Sequence, residues 1–172
     1  MAVPAAAQSI VISLEAWTDE VGADPHAFGV HEDALPAADV FDLPEPPNPP
    51  SDYLSLAFVI PGYGGPLANR WREEYKPTLS MEDEFEDWIL HVETDRVDAT
   101  ATLRFEPVVG ADLPLGVVVT PASGRPRRGS LPVQIDISLD APHTEYVVTL
   151  LWDDPTPSER SAWGEVKRLY DR

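Results

Sequence analysis

The stretch Val11-Ile12-Ser13-Leu14-Glu15-Ala16-Trp17 opens with two apolar residues and then largely alternates polar and apolar ones. Alternation with a period of two places one side of an extended chain in a core, so it predicts a β-strand. Similar runs predict strands at 53–60, 88–94, 99–105, 117–120, 133–139 and 145–152, with a short edge strand at 70–75. Short strands separated by Gly, Pro and Asp are typical of an antiparallel β-sandwich, immunoglobulin-like or jelly-roll-like.

The segment after the first predicted strand, residues 18–52, has no sustained hydrophobic period. Its second half carries six prolines, at positions 36, 44, 46, 47, 49 and 50. Proline fixes φ and lacks an N–H donor, so residues 36–50 are predicted to be extended, partly polyproline II, and not an inner strand.

The two ends of the chain differ from the predicted β domain at 11–155. Residues 1–10 are predicted to be flexible, and their small residues leave two interpretations open: the remnant of a signal peptide or an ordinary N-terminus. Thr156-Pro157-Ser158-Glu159 is typical of a helix start. An apolar face then predicts an amphipathic helix within 156–172, with Trp163, Val166, Leu169 and Tyr170 on that face.

The charge of the chain limits the classes of partner. The formal net charge is −18, and residues 1–100 hold 20 acidic against 4 basic side chains, a net of −16. Nucleic acids and anionic membrane surfaces are bound mainly through Lys and Arg, so neither is an expected partner. No apolar run approaches the roughly 20 residues of a membrane span, so membrane insertion is not expected. With no cysteine, disulfides, thiolate metal sites and cysteine nucleophiles are excluded.

The acidic segment raises the question of a metal. Hard cations such as calcium are bound by several oxygens converging from a loop. The candidate ligands are Asp19, Asp24, Asp33, Asp39 and Asp42. No EF-hand pattern is present, and a solvated acidic loop is the favoured interpretation, so calcium is the single cofactor considered.

Nothing in the sequence is typical of an enzyme active site. The G-x-S-x-G nucleophile pattern is missing, and 30 acidic residues make any carboxylate pair uninformative. His91 and His143 lie in or beside predicted strands and are interpreted as structural or surface residues. The expectation is a non-catalytic protein.

Two sets of side chains are candidates for binding. Tyr63 and Trp71 are the aromatics expected to be exposed, where they would stack on sugar rings. The basic cluster Arg125, Arg127 and Arg128, together with the apolar face of the C-terminal helix, is the candidate surface for assembly with a second copy.

Residues 42–56, DLPEPPNPPSDYLSL, place an acidic and Pro-rich stretch before a strand, and residues 88–95, WILHVETD, form a Trp-containing strand that ends in Glu-Thr-Asp. The chain thereby resembles modules of bacterial secreted and cell-surface proteins. Residues 161–170 are similar to the endings of such proteins. The resemblance covers roughly half of the chain.

Such modules resemble immunoglobulin-like β-sandwiches and accompany surface-sorting or FlgD-like C-terminal domains. The resemblance implies an extracellular or cell-surface location. The hypothesis is a structural or adhesive protein whose partner is itself or another surface protein, self-assembling into a fibre or layer. The alternative is a carbohydrate-binding module of a secreted bacterial system.

Overall fold

The computed structural model describes residues 9–65, 69–77 and 85–152. Within these ranges the chain forms strands and connecting loops, and no segment is a helix long and apolar enough to cross a membrane. The strands are β1 Ile10–Trp17, β2 His26–Val30, β3 Leu43–Pro44, β4 Leu54–Val59, β5 Trp71–Lys76, β6 Phe85–Thr94, β7 Ala99–Val109, β8 Leu115–Pro121, β9 Arg127–Ser130, β10 Val133–Leu139 and β11 His143–Trp152. The prediction of a mainly β protein is confirmed.

The strands of the described residues belong to one sheet in the order β10-β7-β1-β2-β5-β4-β6-β11-β8-β9, with β3 paired to β5 beside this path. Strand β5 joins the two halves, because it pairs in parallel with β2 and also meets β4 through Trp71 and Phe58. The two end strands, β9 and β10, are separated by only Leu131 and Pro132, so the sheet nearly closes. The two separate sheets of a sandwich are therefore not confirmed.

The core lies inside this folded sheet. Alternate residues of β1 point inward, and Ile12 and Leu14 are fully buried, as the alternating pattern predicts. Phe28 of β2 sits at the centre. Its ring centroid lies 4.9 Å from Trp88, 5.4 Å from Phe58 and 6.1 Å from Phe105. One aromatic side chain thus connects four strands.

Strand β2 lies within the segment that was predicted to be irregular, which corrects that prediction. Its sequence, HAFGV, is short and contains a glycine, so its alternation is weak. The glycine is required by packing, because a Cβ on Gly29 would lie 1.9 Å from the carbonyl oxygen of Ile10. Strand β9 was also missed, because its sequence RRGS has no apolar residue.

Strand β5 was predicted at the sheet edge but is an interior strand, paired on both sides. Its charged residues suggested exposure, yet Glu74 is only 3% exposed. Residues 36–41 contain bends and a turn, so the prediction that all of residues 36–50 are extended is wrong for this part. Leu43 and Pro44 pair with β5. The predicted C-terminal helix and most of the predicted N-terminal segment lie outside the described residues.

Candidate metal centre

Two neighbouring strands each carry the tripeptide pattern His-x-Glu. Strand β6 contains His91-Val92-Glu93, and β11 contains His143-Thr144-Glu145. The strands are antiparallel, and their register places His143 opposite Glu93 and Glu145 opposite His91. Residues two apart on a strand share a face of the sheet. All four polar side chains therefore lie on one face, away from the core that Val92 enters.

The side chains of this His–Glu face, residues 91, 93, 143 and 145, approach each other closely. Nδ1 of His143 lies 3.4 Å from Oε1 of Glu93, and Nε2 of His91 lies 3.3 Å from Oε2 of Glu145. One ligand atom from each of His91, Glu93 and His143 lies within 4.8 Å of the others. A tetrahedral zinc ion with bonds of about 2.0–2.1 Å separates its ligand atoms by about 3.4 Å. The three ligand atoms lie no more than about 1.4 Å beyond that separation.

The electrostatic surroundings favour the protonation states that bind metal. Burial lowers the pKa of His91, and the His143 ring adds to this decrease, while Glu145 opposes it. Burial alone would raise the pKa of Glu93, but hydrogen bonds from Arg70 and Asn48 outweigh it, and the net pKa is lowered. A neutral imidazole and an ionised carboxylate are the forms that coordinate a cation.

The second oxygen of Glu93 is held by neighbours outside the His–Glu face. Arg70 Nη1 lies 2.5 Å from Oε2 of Glu93, and Asn48 Nδ2 donates a hydrogen bond to the same oxygen. Arg70 also donates to Oδ1 of Asn48 at 2.5 Å and to the Ser55 hydroxyl at 3.1 Å. These contacts fix the carboxylate with Oε1 directed to His143. Partners of this kind orient the ligands of protein metal sites.

Two imidazoles and one carboxylate suit a divalent transition metal, above all zinc. Glu145, whose side chain is 52% exposed, contacts His91 and lies outside the group of three converging ligands. The His143 side chain is 51% exposed, so the face is open to solvent. The sequence did not reveal this set, because the pairing and register of β6 and β11 bring its residues together. The signal that could have found it is the repetition of His-x-Glu in or beside two predicted strands.

The five acidic residues considered for calcium lie outside the His–Glu face. The group of three side chains whose ligand atoms converge within the described residues is His91, Glu93 and His143, and it includes none of the five. Asp39 and Asp42 direct their carboxylates at backbone N–H groups of the same loop and of β5. The Asp24 carboxylate lies 2.7 Å from Arg72. Calcium binding through Asp19, Asp24, Asp33, Asp39 and Asp42 stays a prediction, without a preformed cluster.

The fold also changes the interpretation of Tyr63 and Trp71, the two aromatic residues considered for glycan binding. Trp71 is only 3% exposed, so the expectation that its ring is exposed is wrong. Strand β5 is interior, and the indole Nε1 donates to Oδ1 of Asn69 at 3.0 Å. Tyr63 packs edge-on against the same ring, with centroids 5.3 Å apart. Glycan binding stays a prediction in which Trp71 cannot serve as a stacking surface.

The basic cluster considered for assembly lies near the His–Glu face. Arg127 and Arg128 are exposed residues of β9, and Arg125 precedes them in the turn. Arg125 and Arg127 line a cleft of about 420 Å³ whose wall also includes His143 and Glu145. The remaining assembly candidates, Trp163, Val166, Leu169 and Tyr170, lie outside the described residues.

Comparisons with protein-family models, with curated proteins and with solved structures gave no significant match to this chain.

Proposed function

We propose that the protein is a non-catalytic β domain that binds one divalent transition metal ion, zinc in the first instance, on the His–Glu face. The observation that carries this proposal is the register of β6 and β11, which sets two His-x-Glu patterns against each other. The pairing gathers two imidazoles and a carboxylate within 4.8 Å. The charge of −18 adds a long-range attraction for cations.

The non-catalytic part of the proposal rests on the sequence, in which the G-x-S-x-G nucleophile pattern is missing. The side chains of His143 and Glu145 are about half exposed, so water has access to a bound metal. Catalytic zinc sites also keep one position open to water, so an assay of hydrolysis is part of the test. The setting we propose is the outside of a bacterial cell, in a structural or adhesive role, because residues 42–56 and 88–95 resemble modules of secreted and surface proteins.

The first experiment is a calorimetric titration of the metal-free protein with zinc, and in parallel with calcium and magnesium. We expect one zinc site per chain and no binding of the other two ions at this face, since imidazole is a poor ligand for hard cations. His91→Ala and His143→Ala should each weaken zinc binding by more than about tenfold. His31→Ala, outside the face, is the matched control and should bind zinc as the wild type does.

Two results would overturn the proposal. If zinc does not bind, or binds equally to His91→Ala and His143→Ala, the paired His and Glu side chains act only as cross-strand contacts that stabilise the sheet. If the zinc-loaded protein hydrolyses an activated ester faster than the His91→Ala variant does, the non-catalytic part is wrong.

A further inference from the structure

The Pro-rich residues 43–50, here called the strap, begin with β3, which pairs antiparallel with β5. Its five prolines are exposed, and within the strap only Glu45 and Asn48 are half-buried. Proline has no N–H to donate, so a strap of this composition depends on its other residues for hydrogen bonds. Beyond β3, the two half-buried residues therefore provide the anchors of the strap.

The first anchor is Glu45. Its backbone N–H donates to the carbonyl oxygen of Arg70 at 2.9 Å. Its carboxylate oxygen Oε2 lies 3.1 Å from Nε of Arg72 and 3.2 Å from Nε2 of His26. This end of the strap is held by both backbone and side-chain contacts.

The second anchor is Asn48, whose side chain contacts the candidate metal ligand Glu93. Asn48, Arg70 and Glu93 form a closed triangle, in which Asn48 donates to Glu93, Arg70 donates to Asn48, and Arg70 pairs with Glu93. All the contacts that Glu93 makes in this triangle use Oε2, which leaves Oε1 facing His143 at 3.4 Å. The strap therefore contributes to the direction in which Glu93 presents its free oxygen.

We propose that the strap regulates the metal centre, with Asn48 as a positioning residue for Glu93. Asn48 holds the carboxylate in the orientation that a metal requires, and a bound metal in turn fixes Glu93 and so tightens the attachment of the strap. The two effects are equal in size because linkage between two binding events is reciprocal. This inference rests on the proposed metal binding and names the element that controls it.

The test compares zinc affinities of full-length variants. Asn48→Ala should weaken zinc binding by about tenfold, the usual effect of losing an outer partner of a ligand. Pro47→Ala is the matched control, since it shortens an exposed neighbour in the same strap and should leave the affinity unchanged. Equal zinc affinity of Asn48→Ala and the wild type would overturn the inference while leaving the proposed function intact.

A second readout separates positioning from a merely structural role. Hydrogen exchange of the Glu45 backbone amide, followed by NMR, reports how firmly the strap is attached. Zinc should slow this exchange by about tenfold in the wild type and leave it unchanged in Asn48→Ala. If Asn48 only stabilises the fold, exchange will be faster in Asn48→Ala but will not respond to zinc in either protein. Failure of the wild type to bind zinc would instead reject the proposed function itself.

Discussion

Glu74 is a carboxyl group placed inside the core. It lies on β5, is 3% exposed, and its Oε2 has no hydrogen-bond partner among the described residues. Burial raises the pKa of Glu74 from 4.5 to about 8, with Asp42 and Glu86 adding to the increase and Lys76 opposing it. At neutral pH the folded protein therefore holds this side chain mostly as a neutral acid.

The raised pKa of Glu74 predicts that the free energy of unfolding decreases as the pH rises. Between pH values of about 4.5 and 8 the folded state binds a proton that the unfolded state has lost. The stabilisation that this proton gives to the folded state is complete below pH 4.5 and is lost as the pH rises through 8. Glu74→Gln keeps the shape and removes the titration. At about 1.4 kcal/mol per pH unit, the variant should gain several kcal/mol relative to the wild type between pH 5 and pH 8.5.

Urea unfolding of both proteins across this pH range provides the measurement. Glu73→Gln, at the half-buried neighbour on the same strand, is the control and should keep the wild-type decrease. Parallel pH dependence of Glu74→Gln and the wild type would mean that Glu74 is ionised in the folded protein.

At the scale of elements, the strap depends on an ionic contact that its own prolines cannot replace. Burial would raise the pKa of Glu45, but hydrogen bonds from His26 and Arg72 more than compensate, so the net pKa is below 4.5. A lowered pKa stabilises the folded state above pH 4.5, and this contribution is lost as the pH falls through the lower, folded-state value.

Glu45→Gln should therefore destabilise the protein at pH 7 by about 2 kcal/mol, since it removes a charged hydrogen-bond acceptor whose side chain is 9% exposed. The difference from the wild type should shrink at acidic pH, as the pH falls below 4.5 and through the lowered folded-state pKa of Glu45. Thermal unfolding at pH 7 and over a series of acidic pH values measures this difference. Glu20→Gln disrupts an exposed pair with Arg96 and should have almost no effect. Equal effects of the two substitutions would contradict a special role for the Glu45 anchor.

At the scale of the whole molecule, Phe28 links β2 to β4, β6 and β7 through ring contacts. Phe28→Ala should lower the free energy of unfolding by about 3–5 kcal/mol, because it leaves a cavity where the halves of the sheet meet. Tryptophan fluorescence and far-UV circular dichroism should still report one shared transition. Val40→Ala, at a residue 93% exposed, is the control and should change little. Two separate transitions would show that the halves unfold independently.

Local pattern was sufficient for much of this fold. The alternating runs of β1, β7, β10 and β11 were predictable because each strand buries one side and exposes the other. Strand β2 was not predictable in this way, because Ile10 of β1 approaches its backbone so closely that position 29 must be glycine. That contact is not visible in the local pattern. The position of β5 was not predictable either. Its charged residues are typical of an exposed edge strand, although β5 lies between neighbouring strands.

The sequence by itself determined a mainly β chain, an acidic composition and a Pro-rich segment that is not an inner strand, since these follow from local period, composition and the missing proline N–H. Only the tertiary structure decided that the strands form one nearly closed sheet, that Trp71 and Glu74 are buried, and that the two His-x-Glu patterns face each other. The physical reason is register. A shift of one residue between β6 and β11 would move one pattern to the opposite face, and no local property of either strand sets that pairing.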